Sequence, residues 1–278
     1  MDIAHLFIPA DQPHKLEKIS SCGSDVVILD LEDGVAKEQK TTAREILSSL
    51  LTADRNRSEG PRLWVRCNGV TTSHFSADAD LLREICPEGI LISKCESAAQ
   101  ICEVAAAVPQ GVLIPLLESA AGVSEIKAIA RASERIARVA FGAVDFALDL
   151  GVDWSEEGEE RRFAMGQIVL ESRAAGLPSP LDAVFPRLDD EAAFVRDAIR
   201  GKQMGFFGKM LVHPREIEWL QRVYATDPEK IRWARRVLEA FNQAGASAVS
   251  LDGQLIDLPV AEQARRILRA AGENPYLP

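Results

Sequence analysis

Hydrophobic residues recur in eight short runs along the chain, and longer amphipathic stretches separate these runs. Each run is typical of a buried β-strand; they are His5–Pro9, Asp25–Leu31, Leu63–Asn68, Gly89–Lys94, Val112–Glu118, Arg138–Val144, Leu181–Phe185 and Gly205–Val212. Apolar residues at three- and four-residue spacing predict helices over Thr41–Leu51, Ala98–Val108, Ser124–Ala132, Glu160–Ala175 and Asp190–Lys202. This alternation predicts a parallel sheet with helices outside it.

About eight strand–helix units in series favour an α/β fold of the (β/α)8 TIM-barrel type, which takes roughly 250 residues. A doubly wound open sheet is the alternative, although no G-x-G-x-x-G loop follows the first strand to support its dinucleotide-binding form. We predict a catalytic barrel domain over residues 1–225, with C-terminal helices and a lid segment over residues 226–278. After the eighth strand, helices are predicted at Pro214–Tyr224, Asp227–Asn242 and Val260–Ala271, with a polar segment at Ala246–Pro259.

Composition narrows the range of partners. The net charge of −10 argues against a broad nucleic-acid interface, and the apolar runs are too short to cross a bilayer. The apolar segment at the amino terminus lacks the basic region and the cleavage site of a signal peptide, so we expect none. The five cysteines are odd in number and form no C-x-x-C pair, so we expect reduced thiols and a cytoplasmic protein without membrane partners.

Ionisable residues follow several of the predicted strands, where a barrel carries its active site. Glu118 and Asp145 close consecutive strands, which lie roughly 5 Å apart in a parallel sheet. Two carboxylates so close repel each other unless a cation or proton lies between them. Without His or Cys ligands, they favour Mg²⁺, with Mn²⁺ as an alternative. Each acid could instead cap the following helix or pair with a surface base.

Arg66 is a candidate for substrate binding because a guanidinium can hold a carboxylate through two parallel hydrogen bonds. Its alternative role is a salt bridge with Glu32 or Asp33, and both roles are compatible if these acids orient the arginine. Lys94 could be the Schiff-base lysine of a class I aldolase or a charge at the rim. His213 could be a general base or a structural cap before Pro214.

Seven motifs in order along nearly the whole chain resemble one known family. They are Leu6–Pro9, Asp25 with Asp30-Leu31-Glu32-Asp33-Gly34-Val35, Val65–Asn68, Leu116–Gly122, Phe141–Asp145, Gly205–Pro214 and Asp252–Pro259. The chain resembles the HpcH/HpaI aldolase and citrate lyase β-subunit superfamily, in its acyl-CoA lyase branch. Two departures concern CoA binding: Ile3-Ala4 stands where many relatives have Arg-Ser, and Gln12 and His14 stand where many carry an arginine.

This resemblance implies a TIM-type barrel that forms a homotrimer or a dimer of trimers. It implies Mg²⁺ at Glu118 and Asp145, and a substrate carboxylate or carbonyl at Arg66, with Glu118 also near the substrate. It further implies that Asp257 serves as a catalytic acid or base in a neighbouring subunit. We assign catalytic support to Glu32 and Asp33, and contacts with CoA to Phe7, Lys18, Lys209 and His213.

We therefore predict a magnesium-dependent carbon–carbon lyase. Its substrate would be a 3-hydroxy-carboxyacyl-CoA such as citramalyl-, malyl- or citryl-CoA, and its products an acyl-CoA and a 2-oxo acid. Three alternatives stay open. They are a malyl-CoA thioesterase, a citrate lyase β-subunit acting on an acyl-carrier-protein thioester, and a non-catalytic CoA-binding protein.

Overall fold

The apolar runs form the strands of one curled parallel sheet, and burial on both faces explains why they lack polar alternation. The computed structural model describes residues 2–53 and 60–274. Within these residues the sheet strands are β1 Ala4–Pro9, β2 Val26–Asp30, β3 Arg62–Cys67, β4 Gly89–Ile92, β5 Val112–Leu117, β6 Ala140–Phe141 and β7 Lys209–Leu211. Their spatial order is β6-β5-β4-β3-β2-β1-β7.

The seventh predicted strand, Leu181–Phe185, is not a regular strand. Only Leu181 and Asp182 make single parallel bridges, to Ala140 of β6 and Lys209 of β7 respectively. The Asp182 side chain accepts the backbone N–H of the next residue, Ala183, at 2.9 Å. Since that donor is then unavailable to a ladder, the pairing stops after two residues. The described part of the chain therefore shows a curled seven-stranded sheet rather than a barrel closed by eight regular strands.

Helices follow the strands along the chain. They are α1 Pro13–Leu16, α2 Lys40–Ala53, α3 Phe75–Ile85, α4 Ala98–Ala107, α5 Ala120–Ser124, α6 Ile126–Ile129, α7 Ala143–Leu150, α8 Glu159–Ala174, α9 Glu191–Met204, α10 Arg215–Tyr224, α11 Pro228–Gln243 and α12 Leu258–Ala270. The single helix predicted over Ser124–Ala132 is wrong in extent. Its region holds two short helices, because Glu125 between them leaves the helical conformation at φ −90° and ψ 4°.

Side chains on the concave face of the sheet form a buried apolar cluster. Its members come from successive strands and are Val26, Ile28, Trp64, Leu91, Ile114, Leu116, Ala140, Leu181 and Met210. Asp30, Arg66 and Glu118 lie at or just beyond the carboxyl ends of β2, β3 and β5. The sheet thus places polar chemistry at one rim, above an apolar interior.

The chain divides into two compact units, Met1–Val223 and Tyr224–Pro278. The second unit contains α11, α12 and an antiparallel hairpin of β8 Val249–Leu251 and β9 Gln254–Ile256. Asp252 and Gly253 join the hairpin strands with φ values of 50° and 78°. Positive φ at both central residues is the requirement of a type I′ turn, for which Asp-Gly is a preferred pair. The hairpin lies within Ala246–Pro259, for which only a polar segment was predicted.

The second unit has an apolar core of its own. It is formed by Ala234, Val237, Leu238, Phe241, Ile256, Ala261, Ala264 and Leu268.

Among the described residues, no helix combines the length and the hydropathy that crossing a membrane requires.

Candidate active site

The site is centred on the buried guanidinium of Arg66, near the end of β3. Arg66 pairs in register with Asp30, the last residue of β2. Its Nε and one terminal nitrogen donate to the two Asp30 oxygens at 2.6 Å each, and the other terminal nitrogen lies 3.1 Å from Glu32 Oε2. The Phe7 ring lies under the guanidinium, with its centroid 4.7 Å from Cζ. The arginine is therefore fixed in orientation on three sides.

Burial alone would lower the pKa of Arg66, but the charges of Asp30 and Glu32 outweigh it and raise that pKa. The guanidinium consequently stays charged. Asp30 occupies the edge of the guanidinium formed by Nε and one terminal nitrogen. A substrate carboxylate would therefore bind the N–H groups that remain on the terminal nitrogens. Sequence reasoning did not assign Asp30 a role of its own. Their pairing could have been predicted, because Asp30 and Arg66 lie at corresponding ends of consecutive parallel strands.

The loop after β2 carries acids whose backbone is fixed by Asp30. One Asp30 oxygen accepts the N–H of Glu32 at 2.8 Å, and the other accepts that of Gly34 at 2.9 Å. A Cβ at position 34 would collide with the Asp30 carboxylate, so glycine is required there. Glu32 Oε2 in turn accepts the N–H of Asp33 at 2.7 Å. The predicted grouping of Glu32, Asp33 and Arg66 is present, with Glu32 rather than Asp33 on the guanidinium.

Lys94 lies near four acids from three parts of the rim. Its ammonium lies 2.9 Å from Asp145 and 3.2 Å from Asp33, and farther from Glu118 (3.8 Å) and Glu32 (3.9 Å). Its backbone N–H donates to Glu118 Oε1 at 2.6 Å. Burial lowers the pKa of Lys94, but the surrounding acids, first Glu118, raise it to a larger extent. A Schiff-base nucleophile must be a neutral amine, so the structure argues against the class I aldolase alternative.

Glu118 is buried directly after β5, and burial raises its pKa to about 7 despite the opposing charge of Lys94. Gly142, which follows β6, makes room for it. A Cβ on Gly142 would lie 2.6 Å from Glu118 Cβ. Asp145 lies in the first turn of α7, where negative charge is favoured by the helix dipole. The carboxylates of Glu118 and Asp145 thus face the same ammonium group from neighbouring elements.

These residues fit a magnesium ion by their donor chemistry. Two hard carboxylates already face one positive charge, the Lys94 ammonium, which stands in for a cation. Among the described residues, no group of three or more His, Cys, Asp or Glu side chains has the arrangement of a metal site. An ion held here would therefore take two protein oxygens and complete its shell with water and substrate, as Mg²⁺ commonly does.

The structure corrects the assignment of Lys209 as a residue that contacts CoA. Its side chain is 1 % exposed, and its ammonium is paired with Asp182 at 2.8 Å and Asp197 at 2.7 Å. Asp197 also binds Arg161 of α8 at 2.7 Å. Lys209 is therefore an internal cation joining β7 to α9 and to the short segment that bridges β6 and β7.

The other residues assigned to CoA occupy different settings. Phe7 supports Arg66, as described above, and Lys18 is exposed after α1. His213 is half-buried and accepts the N–H of Arg215 on Nδ1 at 3.1 Å. Burial, together with the charges of Arg215 and Lys15, lowers the pKa of His213. A neutral imidazole that receives a backbone N–H matches the capping alternative.

Asp257 lies in the second unit, where it is the N-cap of α12. Its Oδ1 accepts the N–H of Val260 at 3.3 Å, and Pro259 stands in the first turn of the helix, where proline is tolerated. This is the capping role that the sequence offered as the alternative to catalysis. Capping uses one carboxylate oxygen and is compatible with a second function of the side chain.

Comparison with known proteins gives consistent matches over nearly the full chain. The family model for HpcH/HpaI aldolase/citrate lyase matches residues 4–214. A (3S)-malyl-CoA thioesterase of Cereibacter sphaeroides is 34% identical, over 96% of this chain and 93% of the relative. The mitochondrial citramalyl-CoA lyase of Homo sapiens is 31% identical, over 96% of this chain and 85% of the relative.

One solved structure matches along almost all of both chains. The CitE protein of Mycobacterium tuberculosis, in complex with magnesium, acetoacetate and coenzyme A, superposes with a TM-score of 0.85. It is 33% identical in sequence, and the match covers 98% of this chain and 98% of that chain.

Proposed function

Because the chain belongs to the HpcH/HpaI aldolase and citrate lyase family, we propose that it is a magnesium-dependent carbon–carbon lyase acting on a CoA thioester. Its substrate is a 3-hydroxy-carboxyacyl-CoA such as citramalyl-, malyl- or citryl-CoA, and its products are an acyl-CoA and a 2-oxo acid. We further propose that it works in the cytoplasm as a homotrimer or a dimer of trimers, on a TIM-type barrel.

One observation carries this proposal: an oriented arginine and a pair of converging carboxylates share one rim. Glu32 connects them, since its carboxylate lies 3.1 Å from Arg66 and 3.9 Å from the Lys94 ammonium. That ammonium in turn lies 2.9 Å from Asp145. A 2-oxo acid offers a carboxylate to the arginine and adjacent oxygens to a cation, so its chemistry matches both parts of the site.

Several residues of this chain have separate roles in a reverse Claisen cleavage. Arg66 binds the carboxylate that becomes part of the 2-oxo acid, and Asp30 and Glu32 keep its guanidinium in place. Asp257 of the partner subunit takes the proton from the substrate hydroxyl. The carbon–carbon bond then breaks, and its electron pair forms the acyl-CoA enolate. The protonated Asp257 returns the proton to the enolate carbon, which gives the acyl-CoA. Glu118 and Asp145 would hold a Mg²⁺ ion, which would supply Lewis acidity toward the oxygen that becomes the carbonyl.

A second candidate is hydrolysis of malyl-CoA, favoured by the 34% identity to a malyl-CoA thioesterase. The two activities leave different products. A lyase leaves the thioester bond intact and releases a 2-oxo acid, whereas a thioesterase releases the CoA thiol. A citrate lyase β-subunit would require an acyl-carrier-protein thioester, and a non-catalytic CoA-binding protein would turn over none of these substrates.

The test is to incubate the purified protein and Mg²⁺ with citramalyl-, malyl- and citryl-CoA separately. A carbonyl reagent measures the 2-oxo acid, and a thiol reagent measures free CoA. We expect 2-oxo acid and acyl-CoA from at least one substrate, without an equal amount of free thiol. Free thiol in place of a stable acyl-CoA would identify the thioesterase. Turnover of none of the three would contradict both.

A further inference from the structure

Lys40 is a buried lysine that is not among the charged residues of the proposed active site. It is the first residue of α2, and its side chain turns back toward the loop that follows β2. Its ammonium donates to the backbone carbonyl of Leu31 at 2.6 Å and to that of Glu32 at 2.7 Å. The residue is only 7% exposed. Both bonds are short and charge-assisted, the stronger class of protein hydrogen bond.

This placement runs against two general preferences. A positive charge at the first residue of a helix opposes the helix dipole, and a buried ammonium loses hydration that two neutral carbonyls replace only in part. Lys37, three residues earlier, is exposed and shows the placement that a lysine normally adopts here. Departures from such local preferences occur most often at functional sites. The loop that accepts the Lys40 hydrogen bonds is therefore a candidate for a functional role.

That loop carries the acids of the proposed active site. Leu31 O also accepts the side-chain amide of Asn68 at 2.9 Å, and Leu31 N donates to Arg66 O at 3.0 Å. Glu32 O also accepts the N–H of Val35 at 2.9 Å. Lys40 is thus the shared donor that joins two consecutive carbonyls of the loop. The second of these belongs to Glu32, whose side chain contacts Arg66.

We propose that Lys40 is a positioning residue for 2-oxo acid binding, an inference that rests on the proposed function. Lys40 does not touch the substrate. It fixes the backbone of Leu31 and Glu32, and thereby the direction from which the Glu32 carboxylate meets Arg66. Glu118 and Asp145 follow other strands and have no hydrogen bond to Lys40. Loss of the Lys40 ammonium therefore weakens binding of the oxo acid and leaves binding of the metal ion unchanged.

The test uses full-length protein and two separate titrations, one with Mn²⁺ alone and one with pyruvate or oxaloacetate in saturating Mn²⁺. The variants are Lys40→Met, which removes both bonds at similar length, and Lys40→Arg, which keeps a charged donor. Lys37→Met is the control, since it removes an exposed lysine from the same segment. Loss of a hydrogen bond to a charged group typically weakens the interaction that depends on it about 10- to 100-fold.

We expect Lys40→Met to weaken oxo-acid binding to that extent with unchanged Mn²⁺ affinity, Lys40→Arg to restore much of it, and Lys37→Met to match the wild type. Unchanged oxo-acid binding in Lys40→Met overturns the inference. So does a parallel loss of oxo-acid and Mn²⁺ binding, which indicates general damage to the fold. If Lys40→Met does not fold, Lys40→Gln, whose amide carries no charge and is one atom shorter than the lysine ammonium, is subject to the same criteria. Wild-type protein that binds neither oxo acid contradicts the proposed function itself, and the inference falls with it.

Discussion

Asp30 holds Arg66 through two hydrogen bonds of 2.6 Å each, one to each carboxylate oxygen. The same two oxygens accept the backbone N–H groups of Glu32 and Gly34. One carboxylate therefore organises both the arginine and the loop that carries Glu32 and Asp33. This relationship makes Arg66 part of a rigid arrangement, which determines what its substitution should do.

Replacing Arg66 by lysine should abolish most activity and preserve the fold. A lysine ammonium cannot reproduce the planar, two-pronged contacts with Asp30 and with a substrate carboxylate. We expect kcat/KM on the best CoA thioester to fall about 10- to 100-fold, because loss of a hydrogen bond to a charged group costs about 1.5–3 kcal/mol. The circular dichroism spectrum should be unchanged. Arg62→Lys is the control, since Arg62 is the exposed first residue of the same strand. Wild-type kcat/KM in Arg66→Lys would show that the arginine is structural.

Binding of Mn²⁺, followed by electron paramagnetic resonance, should depend on Glu118 and on pH. Glu118→Gln should lose binding, whereas Glu103→Gln on the exposed face of α4 should retain it. Because burial raises the pKa of Glu118 to about 7, protons compete with the metal below that pH. Affinity should therefore fall toward a limit of about tenfold per pH unit as the pH decreases. EDTA-treated protein that keeps full turnover with no detectable metal would contradict the metal requirement.

His5 should make the fold sensitive to acid. It is fully buried against Trp64, with ring centroids 5.0 Å apart, and burial lowers its pKa from 6.5 to about 3. The unfolded chain binds this proton below 6.5 and the folded chain does not, so stability decreases as the pH falls from 6.5 toward 3. The contribution is at most about 1.4 kcal/mol for each pH unit.

Urea unfolding of the wild type and of His5→Phe, measured at several pH values, isolates the contribution of His5. The two proteins have all other titratable groups in common. We expect the free energy of unfolding of His5→Phe to depend less steeply on pH across this range. Equal slopes in the two proteins would show that His5 is already protonated, or hydrated, in the fold.

Asp257 should act across a subunit boundary. Asp257→Asn should keep the cap of α12, because asparagine is as good a cap as aspartate, and should retain Mn²⁺ and substrate binding while losing turnover. Mixing this inactive variant with inactive Glu118→Gln protein should restore partial activity in hybrid oligomers. Asp252→Asn, in the neighbouring hairpin turn, is the control and should stay active.

Two results would contradict this prediction. Full activity of Asp257→Asn would exclude a catalytic role. No recovery of activity in mixed oligomers, with their subunit exchange verified by native mass spectrometry, would exclude the arrangement in which Asp257 serves a neighbouring site.

Much of the fold was readable from the sequence because its signals are local. Strands buried on both faces are continuously apolar, so the runs Asp25–Leu31 and Val112–Glu118 predicted β2 and β5. The acids and the arginine that follow such runs were predicted to gather at one rim because parallel strands end at the same edge. The Asp252-Gly253 turn was equally local, and its hairpin could have been predicted from that pair.

Tertiary structure decided what depends on contacts between distant elements. Lys209 was predicted to contact CoA, but Asp197 of α9 and Asp182 pair with its ammonium inside the fold. Lys40 precedes the predicted helix Thr41–Leu51 and no role was predicted for it, yet its ammonium donates to two backbone carbonyls. The raised pKa of Glu118 likewise depends on burial, which no residue beside it in the chain reveals. The sequence determined which residues reach the rim, because strand periodicity is local. Only the folded chain determined which charges are paired, because pairing and desolvation depend on distance in space.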